Sequence, residues 1–351
     1  MTALTVPARP EQDASLRPVP RRRMAWVTWR QHRIALSGVA VFLGVVAVYV
    51  WQAGLRLHHA HAAAAGCNMA APGCADLIAR FNSDLNHPLI GGYILQPIPA
   101  LLGAFIGAPV LARELESGTF RYAWTQGFGQ WRWTLAKVVA LAVVVTAAAA
   151  AISVLFSWYY QPYLATGNQA RSLTESSPLA PALFDLRGIV FAAWTLTAVA
   201  IGVLAGMLIR RVVPAIVATL AAYTGLALAA GNFLSLHYLR PLVTSNPRVP
   251  DSAWIFSQWW TKRGKFAFAG PPPNDVLRQF CPPSVVGPGR LAKAPHGTLA
   301  QCLSQHGYTQ WTRYQPASRF WPFQWIEGGG LLALSVLLIS VTVWLVRRRA
   351  A

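Results

Sequence analysis

The sequence predicts an all-α polytopic membrane protein. It has six transmembrane helices, an N-terminal interfacial helix and a large extracellular loop before the last helix. Three observations carry this. The 351 residues are 54% hydrophobic and only 12% charged, against about 25% charged in soluble domains. The charges are bunched, which leaves six long uncharged gaps. The excess of 30 Lys and Arg over 11 Asp and Glu, a net +19, falls mainly on one side of those gaps. With 15 Trp, 15 Phe and 10 Tyr, a disordered chain is excluded and a soluble enzyme is a poor fit.

Each gap is long enough for a helix across a hydrocarbon core about 30 Å thick, which takes about 20 residues. The spans fall at about 34–55, 93–112, 138–158, 189–209, 213–235 and 328–346. Backbone in lipid must satisfy its own hydrogen bonds, so each run is read as a helix. The run after Arg33 is too long for a cleavable signal. Residues 1–23 are rich in Pro and Arg and read as a disordered tail. Residues 24–351 form one membrane domain. Met24 to His32, with Trp26, Trp29, Arg30 and then Arg33, reads as an amphipathic helix along the inner leaflet. The second span carries Pro97, Pro99 and Pro109. A bent helix satisfied by its neighbours is expected there, rather than a broken helix lining a pathway. Gly103-x-x-x-Gly107 and Gly202-x-x-x-Gly206 match the pattern that lets helices approach closely, and intramolecular packing is expected of both.

Lys and Arg in short loops set the orientation. Residues 1–33 carry seven Arg. Arg113, Arg121, Arg132 and Lys137, the Arg210-Arg211 turn and Arg347 to Arg349 lie on the same side. The opposite short loops hold Arg56, Arg80, Arg171 and Arg187. Both termini are therefore placed in the cytoplasm, with the chain multi-pass in the plasma membrane. The long loop at 236–325 has no vote, since loops beyond about 60 residues translocate regardless of charge. Its Pro, Gly and Trp content fits a loop or a small cap, whose aromatics serve as interface anchors, as core, or as a lid.

All four cysteines fall outside, where disulfides form. Three pairings are possible, and local closure favours Cys67 with Cys74 and Cys281 with Cys302. A zinc site using His58, His59 and His61 is the weaker alternative, because the cluster lacks ligand spacing. No metal is assigned. There is no G-x-x-x-x-G-K-[ST], no H-E-x-x-H and no G-x-S-x-G. No Asp, Glu, Lys or Arg is expected within any span, which counts against a proton-coupled antiporter and an intramembrane catalytic site. Energy for active transport would have to come from a partner. Nucleic-acid binding is set aside, since no recognition fold accompanies the arginines.

The 112–137 loop carries Glu114 and Glu116, then Gly118-Thr119, then Trp124, Phe128 and Trp131-Arg132-Trp133. It serves either as an interfacial anchor on membrane lipid or as a docking element for a soluble partner.

These residues resemble a family. Trp-x-Thr-Trp-Arg-Gln-His-Arg at 26–33 precedes the first span. Arg-Glu-Leu-Glu-Ser-Gly-Thr at 113–119, with Ala123-Trp124-Thr125-Gln126, follows the second. Tyr314-Gln315-Pro316-Ala317 and Arg319 to Glu327 introduce the last. Together with the spans they are similar to actinobacterial permease subunits of type-2 ABC exporters. The resemblance implies a six-helix permease half paired with a second permease subunit, as a homodimer or heterodimer. It implies two separately encoded ABC ATPase subunits that carry ATP and Mg, so this chain holds no cofactor and is not itself an enzyme. It also implies that a cytoplasmic helix at about 113–133 couples to the ATPase, with Glu114, Glu116, Gly118, Thr119, Trp124 and Arg132 as its residues. The function so implied is export of a hydrophobic substrate from the cell. The alternative is a non-transporting sensor or scaffold whose 236–325 cap detects a ligand. A membrane enzyme using His296, His306 or Asp275 is a third reading, which no residue spacing supports. The large 236–325 loop is a departure from the family pattern.

Overall fold

A computed structural model describes residues 21–67, 73–84, 94–118, 130–165, 177–246, 249–250, 252–282 and 298–349. Helix α1 (Arg21–Ala65) is followed by the short α2 (Cys74–Asp84). Helix α3 (Ile98–Glu116) contains a π turn at Gly103–Gly107. Next come α4 (Gln130–Ala165) and α5 (Val190–Ile209). Helix α6 (Val212–His237) ends in a π turn at Ala230–Leu234 and a 3-10 turn. Strands β1 (Leu242–Thr244), β2 (Trp254–Lys262) and β3 (Lys265–Ala269) follow. Then come α7 (Asn274–Phe280), α8 (Thr298–Ser304), β4 (Tyr308–Gln315) and α9 (Phe320–Arg349). Among the described residues, α1, α3, α4, α5, α6 and α9 are long and apolar enough to cross a membrane. They follow the order of the six uncharged gaps.

Two expectations need correction. The fold is not all-α. Residues 242–315 carry a four-stranded antiparallel sheet in the order β1-β4-β2-β3. Its buried face packs Trp260 and Tyr308 on Leu277 of α7 and Leu303 of α8. Its other face bears Trp259 stacked on Trp311, with ring centroids 6.4 Å apart. The loop is therefore a folded cap with its own core. Nor is the N-terminal interfacial helix a separate element. Helix α1 runs unbroken for 45 residues, about 68 Å at 1.5 Å per residue. Nothing between Met24 and Ser37 can end a helix, since that stretch holds neither Pro nor Gly. The helix begins at Arg21, before the expected boundary at 24. Residues 1–20 of the expected tail lie outside the described residues.

The centre of the bundle is α5. Gly103 and Gly107 of α3 face Gly202 and Gly206 of α5 with no room for a side chain. A Cβ on Gly202 would come within 2.3 Å of the Gly103 carbonyl oxygen, and one on Gly206 within 2.4 Å of the Ala108 oxygen. Both small-residue motifs are thus one intramolecular contact. Helix α3 stays continuous across 98–116, as a bent helix would. Its π turn accommodates Pro109, which has no N–H: the Ala108 N–H reaches back to the Gly103 oxygen.

The apolar core lies between α1, α3, α4 and α5 (Leu57, Leu102, Phe156, Val199). A second cluster joins α5 and α6 to α9 (Trp194, Tyr223, Phe323, Leu331). Thr197 of α5 and Ser335 of α9 lie buried with their hydroxyls 2.9 Å apart. Polar side chains are affordable there because each finds a partner inside the bundle. The outward faces of α1, α6 and α9 remain apolar, with Val41, Val45, Val217, Phe233, Val336 and Leu337 exposed. Those are surfaces for lipid or another apolar partner.

Candidate functional site

Polar side chains gather at the two ends of the bundle. At the end away from the cap, α3 closes on Ser117, whose N–H bonds to the Arg113 oxygen. Gly118 follows at φ +70, the left-handed conformation that commonly stops a helix and suits glycine. Glu114 pairs with Lys137 of α4, Nζ to Oε1 2.5 Å. The ammonium also donates to the Val110 carbonyl at 3.3 Å. Lys137 is 2% exposed and Glu114 23%. Glu116 Oε2 accepts the Val212 N–H at 3.0 Å. That amide is among the first of α6, which have no partner within their own helix, and a carboxylate is favoured there by the helix dipole. The two carboxylates of α3 therefore hold the adjacent ends of α4 and α6.

At the cap end, the polar groups come from the segment that introduces α9. Gln324, fully buried, accepts from the Ile189 and Val190 amides through Oε1 at 3.0 and 3.1 Å. It donates to the Phe184 carbonyl at 3.2 Å. One side chain thus caps α5 and anchors the turn before it. Gly188 in that turn has φ +66, and a Cβ there would meet Gln324 at 2.5 Å. Glu327 accepts from Trp194 Nε1 at 2.9 Å and from the Tyr238 hydroxyl at 3.0 Å. Asp185 neighbours the same carboxyl. Burial first, and then the Glu327 carboxyl, push the Asp185 carboxyl well above the usual carboxylate range. Burial and Glu327 also raise the Tyr238 phenol.

The uncharged-span expectation is corrected here. Glu327 lies within α9 and Lys137 within α4, and Glu114 and Glu116 end α3. Each sits next to a span limit drawn at the first charge, so the limit itself concealed it.

Beside Asp185 is a cavity of about 530 Å³ between α3, α5 and α6. Pro97 and Pro99 at the start of α3, Phe191 and Trp194 of α5, Tyr223 of α6 and Asn232 in its π turn line it. Trp194 and Tyr223 meet edge to face at 5.3 Å. π turns are frequent at functional sites.

The structure places the expected site residues as follows. Glu114, Glu116 and Gly118 lie together at the end of α3. Thr119 and Trp124 lie outside the described residues, and Arg132 sits on the first turn of α4. Trp26, Trp29, Arg30 and Arg33 lie on α1. Cys67 neighbours Cys74, with Cα atoms 5.6 Å apart, and Cys281 neighbours Cys302 at 5.8 Å, both within the disulfide range. His58 stacks on Trp158 and bonds to its carbonyl at 3.0 Å, and His61 packs on Phe81. Among the described residues no group of three or more His, Cys, Asp or Glu could hold a metal ion. Gln324, Glu327 and Asp185 were missed as site residues. The Arg319 to Glu327 block was the signal for the first two.

A bundle of six apolar helices with polar contacts at both ends, and a cavity among three of them, defines a multi-pass membrane protein with the build of a transport subunit. The chain belongs to the ABC-2 membrane transporter related family, whose sequence profile matches residues 39–234, more than half of the chain. The match covers five of the six helices and stops before the cap. No protein of curated function and no solved structure matches the chain.

Proposed function

We propose that the chain is the transmembrane permease subunit of an ABC exporter, moving a hydrophobic substrate out of the cell with energy from a separate ATPase subunit. The observation that carries this is the junction at the end of α3. Glu114 joins that end to α4 and Glu116 joins it to α6. Ser117 and Gly118, from which the chain continues toward α4, lie at the same point. A partner that displaces this segment acts on three helices at once, two of which, α3 and α6, border the cavity. The Arg-rich ends of α1 and α9 and the Arg210-Arg211 turn support a cytoplasmic position for this junction and for both termini. The cap then lies outside, where Cys67–Cys74 and Cys281–Cys302 would be oxidised. The apolar outer faces of α1 and α6 leave room for a second permease subunit.

Affinity purification of the chain from its own membranes in mild detergent tests the assignment. A soluble protein with a G-x-x-x-x-G-K-[ST] loop is expected to co-purify. If the intact, monodisperse chain is recovered repeatedly without one, the permease assignment fails and the sensor or scaffold reading takes its place.

A further inference from the structure

We infer that the cavity beside Asp185 is a binding site for a lipophilic organic cation. This deepens the permease reading and rests on it for the transport role of the ligand, although binding can be measured without any ATPase.

The first ground is a pair of neighbouring carboxyls with no cationic partner. Glu327 accepts hydrogen bonds on both oxygens, from Trp194 and Tyr238. Asp185 lines the same small void as Glu327. No Lys, Arg or His side chain among the described residues forms an ion pair with either. The nearby Arg187 guanidinium stacks instead over Tyr160 and Phe320, at 5.7 and 5.0 Å. The charged form of a carboxyl inside a membrane bundle is costly without a counter-ion, and a bound cation would supply one.

The second ground is the wall chemistry. Asp185 faces the cavity, while Glu327 stands behind it in a separate small void. The remaining wall is mostly ring and aliphatic surface: Pro97, Pro99, Phe191, Trp194 and Tyr223. Aromatic faces attract cations. Apolar walls favour a cation with an apolar body over a bare metal ion, which needs several oxygen ligands. The volume of about 530 Å³ falls in the range of small-molecule sites, about 300–1,000 Å³.

Equilibrium binding of radiolabelled tetraphenylphosphonium to the full chain in nanodiscs tests this. Tetraphenylborate, of the same shape and opposite charge, is the control. Saturable binding of the phosphonium alone is expected. Asp185→Asn should weaken it several-fold, and the charge-free pair Asp185→Asn with Glu327→Gln should abolish it. Ala227→Phe, which fills the cavity and leaves both carboxyls, should also abolish it. No saturable phosphonium binding, equal binding of the borate, or undiminished binding in the Ala227→Phe variant would overturn the site. Such a result with the ATPase still co-purifying would leave the permease assignment standing.

Discussion

Replacing Gly202 with valine is expected to leave little or no correctly folded protein in detergent extracts. The position a side chain would take on this glycine faces backbone. Its Cβ would lie 2.3 Å from the Gly103 oxygen, 2.7 Å from the Ala108 nitrogen and 3.0 Å from the Gly107 carbonyl carbon. Overpacking an adaptable core costs about 1–3 kcal/mol. Here the obstructing atoms are not flexible side-chain ends, so α3 and α5 must separate and the cost should reach or exceed that range. Gly225 of α6 is the control, because a Cβ there meets nothing within 4 Å. Size-exclusion profiles after a heating series check the pair. Gly202→Val should lose its monodisperse peak at temperatures where Gly225→Ala keeps it. Equal profiles would mean that the α3–α5 contact is looser than described.

The second large effect is at the Glu114–Lys137 pair. Glu114→Gln leaves an ammonium that is 2% exposed with neutral acceptors only, the new amide oxygen and the Val110 carbonyl, and no counter-charge. Removing one partner of a buried pair costs about 3–5 kcal/mol, because the other charge remains uncompensated. Lys137→Met leaves Glu114, which is 23% exposed, so its carboxylate keeps some water and the cost should fall at the lower end. Glu114→Leu with Lys137→Met removes both charges and should recover most of the thermal stability. If the pair serves only packing, ATP-driven transport returns with stability in that double variant. If it transmits motion between α3 and α4, stability returns and transport does not. The second outcome is expected.

The six helices were legible because lipid imposes one dominant demand, a run of about 20 apolar residues. The glycine contact was legible too, since Gly103, Gly107, Gly202 and Gly206 recur at one helical turn. Glu327 was not. A charged residue at the edge of an apolar run reads as the start of the loop, and only the fold shows Trp194 and Tyr238 turned toward it. Asp185 was hidden for another reason: its partner is more than a hundred residues away and on another element. The cap was misread because β2 has aromatics on both faces, with Trp260 buried and Trp259 stacked on Trp311. That erased the polar-apolar alternation by which a half-buried strand is recognised. The separate interfacial helix was inferred from composition. Composition does not mark a helix end when neither Pro nor Gly interrupts the chain.

The central claim is that an ATPase engages this chain where α3 ends. Photo-crosslinking in native membranes tests it most directly, with benzoylphenylalanine placed at Ser117 and, separately, at Phe266. Phe266 lies on the cap and is 68% exposed. Mass spectrometry of the adducts should identify a P-loop protein from position 117 and none from position 266. A P-loop adduct from the cap position, or its absence from position 117 in membranes that contain the intact chain, would contradict the account.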